Sequence, residues 1–122
     1  MLLGSFYNIL ESEKEGQTYR VKVAFNPTHE IFKGHFPDLP VVPGVCQTQM
    51  LLETLSSLLN RKLELKLAHH IKFLALLNPD KEKFIDCEIK IEKEEGNRLW
   101  VNAIYSSPTE MFFRFKGEFV NE

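Results

Sequence analysis

Five segments of the chain alternate apolar and polar residues with a period of two, while a single segment carries a helical period. In "TYRVKVAF", Tyr19, Val21, Val23 and Phe25 alternate with Thr18, Arg20, Lys22 and Ala24. That pattern gives a strand with one buried face. It returns in "LELKLAHHIKF", with Leu63, Leu65, Leu67, His69, Ile71 and Phe73 on one side, and again with Ile85, Cys87, Ile89 and Ile91. "EEGNR" reads as a hairpin turn into Leu99, Val101, Ala103 and Tyr105. Met111, Phe113, Phe115 and Phe119 mark a last strand, and residues 2–11 a plausible first one. Between Gly44 and Asn60 there is no proline, and leucines at 51, 52, 55, 58 and 59 form a stripe. Strands with one wet face can fold around that helix, giving an α+β fold with an antiparallel sheet. A sheet so small has exposed edges, which a second copy would cover. A homodimer is expected on that ground.

The totals narrow the classes. The 122 residues suit one domain, 1–122. With 43% hydrophobic and 26% charged residues the chain is of globular type. A net charge of −2 provides no global field for nucleic acid. No apolar run reaches the roughly 18 residues that span a bilayer, and the N-terminus turns acidic too early for a signal peptide. Cys46 and Cys87 lack metal-type spacing. A reduced, cytoplasmic setting is the simplest expectation.

The stretch "KGHFPDLPVVPGVCQTQMLLE" carries the candidate chemistry. Pro37, Pro40 and Pro43 stiffen the loop before the helix. His35 heads that loop and can take or give a proton near neutrality. The Pro43-Gly44 step opens a helix whose first amides favour negative charge on an oxygen. Gln49, four residues after Val45 and three before Leu52, is expected on their inward face. Together these are parts for polarising a carbonyl and moving a proton beside it.

"GHFPDLPVVPGV" resembles the active-site signature of the β-hydroxyacyl-[acyl carrier protein] dehydratases, and "THEIFKGHFP" and "IKFLALLNPDKEKF" extend the likeness. The resemblance implies a hotdog fold, a curved antiparallel sheet wrapped around one central helix. It implies removal of water from a 3-hydroxyacyl thioester to give a trans-2-enoyl thioester in fatty-acid or related synthesis. His35 would take the 2-carbon proton and the Gly44 amide would hold the thioester carbonyl. Phe32, Phe36, Pro43 and Val45 would border the substrate. No cofactor is implied, the substrate riding on the phosphopantetheine of acyl carrier protein, or on CoA. Family sites lie between two subunits, so a homodimer, a heterodimer or an oligomer of dimers is expected, with no nucleic acid or membrane partner. The family's helix carboxylate, fourteen residues after the histidine, is Gln49 here, and the family's glutamine one turn on is Glu53. A carboxamide supplies no acid proton. Three readings follow: a dehydratase assisted by Gln49 or Glu53, a weakened or inactive subunit that partners an active one, and a hotdog thioesterase.

Among the remaining residues, His29 is expected to structure its loop, and His69 to be a core or interface residue. His70 should face away from His69. Cys46 and Cys87 read as packing residues. Lys33, Arg61, Lys62, Lys66 and Lys72 are candidates to meet an acidic carrier protein.

Overall fold

The computed structural model describes residues 1–34 and 39–122. Six strands form one antiparallel sheet: β1 (Tyr7–Glu15), β2 (Thr18–Phe25), β3 (Leu63–Phe73), β4 (Phe84–Glu95), β5 (Arg98–Ser106) and β6 (Met111–Asn121). Their order across the sheet is β1-β2-β4-β5-β6-β3. The curved sheet wraps α2 (Gly44–Leu59), and a short α1 (Glu30–Gly34) precedes it. This is the hotdog fold expected from the sequence. None of the described helices is long and apolar enough to cross a membrane.

The alternation of β2, β4 and β5 sends Val21, Val23, Ile85, Cys87, Ile89, Leu99, Val101 and Tyr105 inward, all buried. Gly16 and Gly96 take positive φ at the first position of two-residue hairpin turns, where a side chain would be strained. On β6, Phe113, Phe115 and Phe119 continue an aromatic row from Tyr105, which stacks on Phe113 at 4.5 Å. Against this floor α2 lays Cys46, Gln47, Met50, Leu51, Thr54 and Leu55. Met50, Leu51 and Leu55 are fully buried, each contributing about 2 kcal/mol. Two tyrosines pin the helix to the sheet: Tyr7 Oη donates to the Met50 carbonyl (3.2 Å) and lies 2.9 Å from Thr54 Oγ1, while Tyr105 Oη donates to the Gln47 carbonyl (2.9 Å). Asn60, in the left-handed region, ends the helix as its sequence position suggests.

Two elements differ from the sequence reading. The first strand runs from Tyr7 to Glu15 rather than over residues 2–11. Gly4, at φ 96°, turns residues 2–6 into a loop whose Leu2 carbonyl accepts from Ser5 and Phe6. The single-sided pattern read along residues 63–73 also breaks. Register shifts between Leu65 and Leu67 and between Ala68 and His70 insert two bulges. Leu65 sits opposite buried Phe119, but Leu67 sits opposite Glu118, on the other face. The second bulge, at His69, returns Ile71 and Phe73 to the inner face, opposite Phe115 and Phe113. The bulged strand crosses β6 at Gly117, where an added Cβ would lie 2.5 Å from the Leu67 carbonyl oxygen. Gly117→Ala is therefore expected to cost about 2–3 kcal/mol through forced backbone movement. A urea midpoint unchanged from wild type would show that β3 can shift freely there.

Candidate functional site

Pro43 is the N-cap of α2, and its carbonyl accepts from the amides of Cys46 (3.0 Å) and Gln47 (3.1 Å). The amides of Gly44 and Val45 stand ahead of these, and none of the described groups accepts from them. The preceding turn is held from two sides. The Val42 amide donates to the Leu77 carbonyl (2.8 Å), and Gln47 Nε2 donates to the Val42 carbonyl (3.1 Å). Gly44 packs closely under Phe73, whose ring would meet an added Cβ at 2.8 Å. Helix start, turn and β3 thus fix one another. The His35 and Phe36 of the sequence reading lie outside the described residues.

Gln49 does not share the buried face. It is exposed, as is Val45, at 78%, and Leu52 on the same side of α2 is half-buried. The buried carboxamide is Gln47, at 3% exposure. The leucine stripe itself carried this phase: 47, 51 and 55 are successive turns, whereas 45, 49 and 52 follow the opposite flank. Gln47 Oε1 is buried with no partner among the described residues. Sequence reasoning missed Gln47, although its spacing to Leu51 was the available signal.

Gln49 and Glu53 meet one turn apart. Gln49 Nε2 donates to Glu53 Oε2 at 3.0 Å. Glu53 is buried and also accepts from the Leu2 amide (2.9 and 3.0 Å) and the Leu3 amide (2.8 Å). Burial raises the Glu53 pKa, but the two amides, the Gln49 carboxamide and the nearby α-amino group together outweigh it, leaving the pKa below the ordinary glutamate value. Glu53 is accordingly ionised at neutral pH and its lone pairs are occupied. Because Gln49 spends its Nε2 on Glu53, its Oε1 is left as an outward acceptor. Both residues border an open groove of about 600 Å³ shared with Met1, Leu3 and Leu52.

The other sequence candidates have settled places. Phe32 is buried and stacks on Phe6 at 5.0 Å. His29 Nδ1 accepts from the Ile31 amide (3.1 Å) and so caps α1, a loop-structuring role. Cys46 and Cys87 are buried, and burial pushes both thiols up, so neither is a reactive thiolate. His69 is a half-exposed bulge residue rather than a core one, with Nε2 2.6 Å from Glu118 Oε2. The bulge also brings His69 and His70 to one shared depression instead of opposite faces. Arg61 and Lys62 are paired with Glu94 (3.1 Å) and Glu122 (3.4 Å).

The sequence pattern of the ApeI-like family, described as ApeI dehydratase, matches residues 11–108. The chain belongs to the ApeI-like dehydratase family. Solved structures of the same fold include the dehydratase heterocomplex ApeI:P from Xenorhabdus doucetiae, with a TM-score of 0.72 at 21% identity, covering 92% of this chain and 96% of that one. A conserved protein from Pseudomonas aeruginosa gives a TM-score of 0.65 at 10% identity, over 92% and 87%. A putative thioesterase from Shewanella oneidensis gives 0.55 at 12%, over 94% and 82%. No curated protein matches the sequence significantly. The family match and the fold together make this a dehydratase-like hotdog protein.

The Glu53 contacts have a measurable consequence. A glutamate with a depressed folded pKa adds stability above its unfolded pKa, about 4.3, and loses it as pH falls through the folded value. Glu53→Ala is expected to cost about 2 kcal/mol at pH 7 and to flatten the acid limb of the stability curve below about pH 4.5. A variant whose stability falls with acid as steeply as wild type would show that Glu53 is not held by the Leu2 and Leu3 amides.

Proposed function

We propose that the chain removes water from a 3-hydroxyacyl thioester, giving a trans-2-enoyl thioester for acyl-chain synthesis in the cytoplasm. The observation that carries this reading is the dehydratase-family match joined to a helix start whose Gly44 amide has no acceptor among the described residues. In this scheme the His35 imidazole takes the proton from C2. The electron pair moves toward the thioester carbonyl oxygen, held by the Gly44 amide and favoured by the helix dipole. The C2–C3 double bond forms as the C3–O bond breaks. The departing hydroxyl needs a proton. Gln49 Oε1 accepts a hydrogen bond from that hydroxyl and orients it, but provides no acid. The proton comes back from His35 or from a carboxylic acid on a second subunit. Glu53 acts as a positioning residue that aims Gln49. Phe36, Pro43 and Val45 border the thioester, and Phe32, stacked on Phe6, is buried in the core beside them in sequence.

A second subunit is part of the reading. The β3 edge and the segment after it leave Ile71, Phe73, Leu74 and Leu76 exposed, Leu76 at 69%, and exposed Val45 follows the Gly44 that packs under Phe73. A contiguous apolar margin of this kind favours an interface. The Xenorhabdus doucetiae relative is a dehydratase heterocomplex. That relationship, with Gln49 in place of an acid, favours a second reading in which this chain completes the site of a different hotdog subunit. Acyl carrier protein or CoA would present the substrate.

Purified protein is expected to convert a 3-hydroxyacyl-pantetheine thioester to the enoyl product, followed by the ultraviolet absorbance of the new conjugated double bond. His35→Ala should lower the rate on the order of 10²–10⁴. Gln49→Glu should raise it, because the neighbouring Glu53 carboxylate keeps the new carboxyl protonated. Free acid as product would instead establish a thioesterase. No product from the single chain, with turnover restored by a second hotdog subunit, would establish the heteromeric reading.

A further inference from the structure

The face of the sheet turned away from α2 carries an arrangement that the dehydratase reading leaves unexplained. In the register of β3 with β6, His70 lies opposite Lys116 and Lys72 opposite Arg114. Like charges placed directly across antiparallel strands, as Lys72 and Arg114 are, destabilise the pairing. The neighbouring strand supplies no relief, since β5 sets Asn102 beside Lys116 and Ile104 beside Arg114. None of Lys72, Arg114 and Lys116 takes part in an ion pair among the described residues. Carboxylates are not scarce in a chain with 17 acidic and 15 basic residues. Elsewhere they are spent on cations, as in Arg20–Glu15, Arg61–Glu94 and Arg98–Glu118. Here Lys72, Arg114 and Lys116 stand together in two rows outside any ion pair among the described residues, and the Glu92 carboxylate of the adjoining hollow accepts from Asn102 Nδ2.

These rows line a depression of about 400 Å³ formed by His70, Lys72, Asn102, Ile104, Arg114 and Lys116. It shares His70, Asn102 and Lys116 with a second hollow of about 630 Å³ that reaches Trp100. We propose that this trough binds a small molecule bearing a diphosphate. The rows are two residues apart along the strands, roughly 7 Å, so the long Lys72, Arg114 and Lys116 side chains can converge on one diphosphate from both rows. The Arg114 guanidinium offers the planar fork that phosphate oxygens accept in pairs, and Lys72 and Lys116 add point charges. Asn102 lies beside them, its Nδ2 donating to Glu92 Oε1. A bound diphosphate also relieves the Lys72–Arg114 repulsion, so ligand binding and β3–β6 stability are linked. The site lies across the sheet from Gly44 and stands independently of the dehydration reading.

Trp100 is the chain's one tryptophan and borders the trough, so its fluorescence reports occupancy. Sodium pyrophosphate at fixed ionic strength is expected to give a saturable change in that fluorescence and a rise in Tm. Lys72→Ala and Arg114→Gln should each weaken binding about tenfold or more, the loss of one charged hydrogen bond. Lys72→Glu should abolish the response and, without ligand, raise Tm by turning repulsion opposite Arg114 into attraction. Saturable binding by a nucleoside diphosphate as well as by pyrophosphate supports a general diphosphate site. The proposal is overturned if pyrophosphate does no more than sulfate at matched ionic strength, if folded Lys72→Glu protein keeps the response, or if only an acidic polypeptide such as poly-glutamate binds.

Discussion

Everything in this fold depends on enclosing one helix inside a sheet that has few polar groups to spare on its inner side. The helix α2 brings Gln47, Glu53 and Thr54 into that enclosure with its apolar stripe. Each must find a partner or destabilise the fold. Tyr7 and Tyr105 supply the sheet's share, donating to helix carbonyls or meeting Thr54, and burial drives both phenols well above their ordinary pKa. Glu53 is satisfied by the chain's own first residues. The enclosure therefore fixes the rotation of α2, and with it which residues look outward.

That rotation determines what chemistry the helix can present. Its start is wedged between the Val42 turn and Phe73, so Gly44 has little freedom. Its outward flank offers Val45 and Gln49 beside an open groove. Through its bond to Glu53, Gln49 presents an oxygen rather than a nitrogen. The flank is thus built to accept a hydrogen bond, which suits orienting a hydroxyl more than protonating it. The apolar β3 margin next to it suits a second subunit, which in the proposed reading would supply the missing acid.

Much of this was legible in the residues. Strict alternation located β2, β4 and β5 because the β2–β4 pairing and the β4–β5 pairing from Asp86 to Ile91 run without a register shift. It failed for β3, whose bulges at Lys66 and His69 shift the phase twice and leave no composition signal. The first strand was misplaced because Phe6 and Tyr7 are both buried, which blurs a period of two, and because the Gly4 turn uses up residues that look strand-like. Gln49 was assigned inward from its neighbours Val45 and Leu52, both apolar. Only the longer phase through Leu51 and Leu55 separates a buried Gln47 from an exposed Gln49. The glycine-proline corner was readable as a motif, and its consequence at Pro43 and Gly44 follows from helix-end chemistry. His35, its proposed base, lies outside the described residues.

The central claim is that a thioester sits at the start of α2 with its hydroxyl on Gln49. The most direct measurement is a crystal structure of the protein, alone or with its hotdog partner, bound to a non-hydrolysable 3-hydroxyacyl-pantetheine analogue. The account predicts the carbonyl oxygen at roughly 2.9 Å from the Gly44 amide, the 3-hydroxyl donating to Gln49 Oε1, and the His35 ring beside C2. An analogue bound with its carbonyl away from the helix start, or with the His35 ring turned to bulk solvent, would contradict it.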